Sequence, residues 1–183
     1  MKKSPVITVV AIGIGAALFF VLGRFVAIPS GVPNTNISIQ YGLLAFIAAV
    51  YGPIAGLLSG LIGHFFIDFS YGWGVWWSWV IASAFFGCVM GFLTRKYTLE
   101  DGEFSKKDAI GFNVGQAIAH LLAWALIAPV LDILMYAEPA NKVFIQGLVS
   151  AGINILATAV VGTLLLFAYA AAKPKKGSLK KEK

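Results

Sequence analysis

One stretch of the sequence carries four side chains suited to hydrogen bonding or stacking: Asn113, Gln116, His120 and Trp124. They follow one another at steps of three, four and four residues, which places them on one face of an α-helix. A line of donors and acceptors ending in an indole suits either a hydrogen-bond network between helices or one wall of a ligand pocket. We favour the network for Asn113 and Gln116 and the pocket for His120 and Trp124.

Two other segments offer further binding groups. Residues 71–79 contain four of the five tryptophans. An aromatic belt at a membrane interface explains some of them, but Trp76, Trp77 and Trp79 point in different directions around a helix, so at least one should face inward and could stack on a planar heterocycle. Residues 29–36 combine two prolines with Asn34 and Asn36, which suits a stiff loop whose amides bind planar polar groups.

Gln146 and Asn154 lie in the last apolar run. They are eight residues apart and therefore share roughly one helical face. They could lie opposite the stripe that ends in Trp124, either joining two helices or contacting a ligand.

The remaining ionisable groups in apolar runs suggest structure rather than catalysis. His64 and Asp68 are one helical turn apart, but two ligands are too few for a metal site, so we predict none. Asp68 and Arg24 should lie at similar depths near one membrane surface, and we expect a structural ion pair between them.

These residues need elements to position them, and the composition favours membrane helices. The chain has 183 residues, 59% hydrophobic and 12% charged, with a mean hydropathy of +0.85. A soluble domain would carry about twice that charged fraction. The sequence contains no phosphate-binding loop, no H-E-x-x-H, no G-x-S-x-G and no C-x-x-C motif, and its single cysteine, Cys88, excludes a disulfide within the chain. We therefore expect neither an enzyme nor a bound cofactor.

We predict an all-α integral membrane protein that forms a single domain of six transmembrane helices. Gly52 and Pro53 interrupt an apolar stretch that would otherwise form one long span, so we predict a turn there. The apolar runs give the spans 6–28, 37–51, 53–69, 75–93, 109–136 and 143–172.

Charge supports this count of spans. The net charge is +6, and 12 of the 14 lysines and arginines lie in residues 2–3, 95–108 and 173–183. Positive residues prefer the cytoplasmic side of a membrane when loops are short. Six spans place all three segments on one side, which predicts cytoplasmic N and C termini and a basic cytoplasmic tail over residues 173–183.

Small residues predict how the helices pack. Gly52, Gly56 and Gly60 recur at every fourth position, as do Gly87 and Gly91, a spacing that lets helix backbones approach closely in lipid. Two overlapping pairs of this kind, Ala11 with Gly15 and Gly13 with Ala17, lie in the first span, and they could pack inside the bundle or receive a partner helix.

The run Gly52-Pro53-Ile54-Ala55-Gly56-Leu57-Leu58-Ser59-Gly60, together with the small-residue first helix and the Pro-rich loop, resembles the S components of energy-coupling factor (ECF) transporters. These are six-helix, vitamin-capturing subunits of a class of ABC importers. The resemblance covers nearly the whole chain and is greatest to the uncharacterised branch that is often labelled riboflavin-type.

The resemblance implies that the chain captures a small water-soluble vitamin or precursor outside a prokaryotic cell membrane. A transmembrane coupling protein and two ATP-binding subunits would supply transport and would be the ones to use ATP. Ala11, Gly13, Gly15 and Ala17 would contact the coupling protein. The implied substrate-binding residues are Asn34, Asn36, Gln40, Trp76, Trp79, His120, Trp124 and Gln146. The alternative is a solute carrier or channel that acts alone.

Overall fold

The computed structural model describes residues 4–32, 35–72 and 74–174. Seven α-helices form the bulk of this part of the chain. They are α1 (Pro5–Val21), α2 (Gln40–Tyr51), α3 (Pro53–Tyr71), α4 (Trp77–Leu93), α5 (Lys106–Leu122), α6 (Ala128–Tyr136) and α7 (Ala140–Ala171). The connecting elements are two π-helical turns, Leu22–Val26 and Ala123–Ile127, a 3-10 turn, Leu99–Asp101, and a short antiparallel pair of strands, β1 (Ile28–Pro29) and β2 (Asn36–Ile37).

Several of the helical segments have the dimensions of membrane spans. Four are long and apolar enough to cross a bilayer: Pro5–Val26, Pro53–Tyr71, Lys106–Tyr136 and Ala140–Ala171. Two shorter apolar helices, α2 and α4, lie among them. The all-α class is therefore confirmed, whereas the count of six spans stays a prediction. The second helix begins at Gln40 rather than at residue 37, because residues 36–37 pair with Ile28–Pro29 as a strand.

The turn predicted between α2 and α3 is present. Gly52 has a φ of 93°, a left-handed value that only glycine adopts without strain. Its N–H donates to the carbonyl of Ala48 at 2.9 Å and so closes α2. Pro53 then occupies the first position of α3, where its missing N–H removes no helical hydrogen bond.

Glycines bring α3 and α4 into backbone contact. A Cβ atom on Gly56 would lie 2.3 Å from the carbonyl oxygen of Gly87, and one on Gly87 would lie 2.2 Å from that of Gly56. A Cβ on Gly91 would meet the backbone of Pro53 at 2.4 Å. The small residues of these two helices therefore pack inside the bundle, as expected for close crossings in lipid.

The two overlapping small-residue pairs of α1 face in different directions. Gly15 lies against α3, since a Cβ there would be 2.6 Å from Ser59 Oγ, and Ala11 is only 6% exposed. The chain's own helices therefore cover Ala11 and Gly15, which matches the alternative of packing inside the bundle, and their contact with a coupling protein stays a prediction. Gly13 has nothing within 4 Å of a Cβ position, and Ala17 is exposed.

The predicted polar stripe lies on the helical segment that runs from α5 to α6. A widened, π-helical turn separates these two helices. The N–H of Ala128 donates to the carbonyl of Ala123, five residues earlier, and Pro129 follows immediately. Proline lacks an N–H and crowds the preceding turn, a common cause of such widening. Gly147 of α7 lets that helix approach the widened turn, since its Cβ would lie 2.1 Å from the carbonyl oxygen of Trp124.

Candidate ligand-binding cavity

A cavity of about 520 Å³ opens at one end of the bundle. Its walls come from the β1–β2 region, the first turn of α2, the last turns of α3, the start of α4, α6 and the first half of α7. The volume falls in the range of about 300–1,000 Å³ that is common for small-molecule sites. A cluster of basic residues, Arg95, Lys96, Lys106 and Lys107, occupies segments that contribute nothing to this lining.

Most of the predicted binding residues meet at this cavity. Six line it: Asn36, Gln40, Trp76, Trp79, Trp124 and Gln146. Asn34 lies outside the described residues. His120 is fully buried and is absent from the lining, so it is separated from any ligand in the cavity. That the six lining residues bind a ligand stays a prediction.

Trp124 forms an aromatic wall of the cavity, and neighbouring aromatic rings and one hydrogen bond fix its position. Its ring stacks on Trp79 with centroids 5.8 Å apart and an interplanar angle of 20°, and Tyr41 packs edge-on at 5.0 Å. Its Nε1 donates to His120 Nδ1 at 2.9 Å. Because Nδ1 accepts, the His120 proton sits on Nε2 and is donated to Thr158 Oγ1 at 2.9 Å.

The pocket role expected for His120 is therefore corrected to a positioning role. Its imidazole fixes the direction of the Trp124 indole and is itself clamped, since Phe86 stacks on it at 3.9 Å. Helical periodicity places His120 and Trp124 on one face, but it does not say how deep each lies in the bundle.

The other half of the polar stripe joins α5 to α7, as the network interpretation expects. Asn113 Nδ2 donates to Thr163 Oγ1 at 2.9 Å and to the carbonyl of Ala109 at the same distance. Gln116 Nε2 donates to the carbonyl of Ile155 at 3.3 Å. These amides lie outside the cavity lining and connect two helices in the bundle interior.

Asp132 is a lining residue that sequence reasoning missed. It is 2% exposed and accepts hydrogen bonds from three side chains of the α4 region. Trp76 Nε1 and Ser78 Oγ donate to its Oδ1, and Trp79 Nε1 donates to its Oδ2 at 2.9 Å. One carboxylate thus orients two of the cavity tryptophans. In the sequence, Asp132 is recognisable only as a single acidic residue in an apolar run, and its hydrogen-bond partners cannot be inferred from that position.

The ion pair predicted between Arg24 and Asp68 is wrong. Asp68 Oδ1 instead lies 3.6 Å from His64 Nε2, and its Oδ2 accepts the backbone N–H of Trp76 at 2.9 Å. The Arg24 guanidinium rests 4.2 Å above the Tyr71 ring, and its Nε donates to Ser70 Oγ at 3.1 Å. In place of the predicted pair, Asp68 contacts His64, one turn earlier on the same helix, and Arg24 packs on the ring of Tyr71.

A chain of polar contacts extends from Asp68 through His64 along the cavity wall. His64 Nδ1 lies 2.6 Å from Ser83 Oγ, which lies 2.9 Å from the hydroxyl of Tyr41. Tyr41 in turn packs against Trp124. The lining residues Asp68, His64 and Tyr41 from α2 and α3 are therefore joined through Ser83 of α4.

The Gln40 side chain packs closely against Gly23, in the π-helical turn after α1. A Cβ on Gly23 would lie 1.9 Å from Gln40 Oε1 and 2.4 Å from Ile67 Cδ1, so a larger residue there would displace the Gln40 side chain. Ser38 Oγ donates to the same Gln40 oxygen at 3.1 Å. This contact places the Gln40 amide at the cavity wall.

The rim of the cavity on the α6–α7 side carries an ion pair. Lys142 Nζ lies 2.7 Å from Glu138 Oε2, one turn apart in sequence. Further along α7, Gln146, Ser150 and Asn154 line the cavity at intervals of four residues. The shared face expected for Gln146 and Asn154 is thus directed at the cavity.

Comparison with known proteins identifies the family. Residues 3–171 match the family described as ECF-type riboflavin transporter, S component. UPF0397 proteins of Staphylococcus aureus are also similar: that of strain MSSA476 is 56% identical and that of strain Newman 55% identical, each over 100% of both chains. No solved structure was found to match. The chain therefore belongs to the S components of ECF-type transporters, a family of membrane transport subunits rather than enzymes.

Proposed function

We propose that the chain is the substrate-capture subunit of an ATP-driven ECF importer of a water-soluble vitamin or vitamin precursor. In this proposal six helices cross the prokaryotic plasma membrane, and both termini are cytoplasmic. A coupling protein and two ATP-binding subunits drive transport, so this chain itself needs no cofactor. Riboflavin, which the family description names, is one candidate substrate.

The observation that carries the proposal is the position and lining of the cavity. The first turns of α2 and α4, the last turns of α3 and the π-helical turn after α5 supply its stacking surfaces, and its amides come from β2, α2 and α7. The basic segment 95–107 lies beyond the opposite end of α4, and such segments favour the cytoplasmic side. The cavity then opens toward the outside, where a capture subunit meets its substrate.

Transport reconstitution tests this function. Full-length protein in liposomes, loaded with ATP, should take up the vitamin that copurifies with it only when the coupling protein and both ATPases are also present. Mass spectrometry of the purified subunit supplies the identity of that vitamin. Uptake by the subunit alone would contradict the proposal and favour a stand-alone solute carrier or channel.

The open face of α1 gives a prediction about assembly. Gly13→Leu or Ala17→Leu should lower ATP-driven uptake by the complete transporter roughly tenfold, because a large side chain weakens close helix contact with the coupling protein. Ligand binding by the isolated subunit should not change, since position 13 has open space around it. Gly152→Leu, at an equally open glycine of α7, is the control. Normal uptake by both α1 variants would place the coupling contact elsewhere.

A further inference from the structure

The lining of the cavity carries an excess of negative charge. Within the described part of the chain, its acids are Asp68, Asp132 and Glu138, and its only lysine or arginine is Lys142. Lys142 and Glu138 lie 2.7 Å apart and offset one another. The other two lining acids, Asp68 and Asp132, have no such offset, because no described lysine or arginine lies within 4.0 Å of either carboxyl group.

Within the described residues, the side chains that donate hydrogen bonds to Asp132 are all neutral. Both of its oxygens accept hydrogen bonds, two at Oδ1 and one at Oδ2, an arrangement that suits an acceptor-only carboxylate. Indole N–H and hydroxyl dipoles stabilise a negative charge without cancelling it. In a buried setting, an uncancelled charge acts strongly on whatever enters the adjacent space.

Asp68 lies on the other side of the same tryptophan. The backbone N–H of Trp76 donates to Asp68 and its indole N–H donates to Asp132, so one residue joins the two carboxyl groups. The basic side chain beside Asp68 is the imidazole of His64, whose Nε2 lies 3.6 Å from Asp68 Oδ1 and which is positively charged only when protonated. Arg24 is held on Tyr71 and Ser70 and is not part of the lining.

Aromatic side chains complete the enclosure. Tyr41, Tyr71, Trp76, Trp79 and Trp124 all line the cavity. The electron-rich faces of such rings attract cations as well as flat heterocycles. Tyr71 already holds one cation in this way, since the Arg24 guanidinium lies 4.2 Å from its ring centre.

We infer that the cavity selects an organic cation, namely a nitrogen heterocycle that carries a positive charge near Asp68 and Asp132. This inference rests on the proposed capture function and narrows its substrate class. A neutral flavin or an anionic vitamin would leave two carboxyl groups facing the ligand without compensation.

The test is a binding titration of the full-length protein in nanodiscs, followed by tryptophan fluorescence. Thiamine, riboflavin and pantothenate serve as cationic, neutral and anionic probes. We expect thiamine to bind more tightly than the other two. Asp68→Asn should weaken thiamine binding about tenfold or more, the effect of losing an interaction with a charged group.

Variants separate charge from folding. Asp132→Asn should act like Asp68→Asn, and its thermal unfolding is measured in parallel because it also alters three internal hydrogen bonds. Glu103→Gln removes the same charge far from the cavity lining and should leave thiamine affinity unchanged. Tightest binding of riboflavin or pantothenate, or unaltered thiamine affinity in Asp68→Asn, would overturn the inference but leave the capture function intact. Failure of all three probes, with no copurifying vitamin, would overturn both.

Discussion

Gly56→Leu is expected to prevent the bundle from forming a stable folded protein. Even the first side-chain atom would lie 2.3 Å from the Gly87 carbonyl oxygen and 2.8 Å from the carbonyl carbon, and a backbone cannot rotate away as a side chain can. Overpacking typically costs about 1–3 kcal/mol even when side chains adjust. A rigid clash between two helices should exceed about 3 kcal/mol, a large part of the stability of most domains.

Size-exclusion chromatography and thermal unfolding in detergent measure this effect. Gly87→Leu, on the other side of the same crossing, should behave like Gly56→Leu. Gly152→Leu adds an identical side chain at a glycine with nothing within 4 Å and should elute and unfold like the unsubstituted protein. Equal stability of Gly56→Leu and Gly152→Leu would show that α3 and α4 do not cross as described.

Trp124→Ala is expected to abolish most ligand binding. Trp124 presents a stacked ring to the cavity, and central buried tryptophans commonly contribute about 2 kcal/mol or more to binding, which corresponds to roughly a thirtyfold loss of affinity. Isothermal titration of the isolated subunit with its copurifying vitamin measures the change.

Two further variants control this experiment. Trp124→Phe keeps an aromatic face but loses the hydrogen bond to His120, so it should fold and bind with intermediate affinity. Trp77→Ala removes the same side chain from a partly exposed position, 42% exposed, that does not line the cavity, and should leave affinity unchanged. Equal affinity in the Trp124→Ala and Trp77→Ala proteins would remove Trp124 from the binding site.

Local backbone chemistry made parts of this fold predictable. The break at Gly52 and Pro53 follows from the properties of those two residues alone. The common face of Asn113, Gln116, His120 and Trp124 follows from helical periodicity. The spacing of Gly56 with Gly60 and of Gly87 with Gly91 likewise indicates close helix crossings, and the structure contains them.

Features set by tertiary packing were not predictable in this way. Ala11 with Gly15 and Gly13 with Ala17 have the same spacing, and only the rotation of α1 against α3 decides which pair is covered. Asp132 finds its donors more than 50 residues away in sequence, in Trp76, Ser78 and Trp79. The position of Arg24 depends on the π-helical turn after α1, which a 3.6-residue repeat does not indicate.

The widened turn before Pro129 also bears on how sequences of this family are aligned. A regular α-helix turns by about 100° per residue and bonds each N–H to the carbonyl four residues earlier. The π-helical turn Ala123–Ile127 instead bonds the N–H of Ala128 to the carbonyl of Ala123, five residues earlier, so it holds one residue more than a regular turn. It acts as a one-residue insertion. Against a relative with a regular helix here, the correct alignment opens a single gap, and an ungapped alignment would pair Asp132 with a residue on the wrong side of the helix.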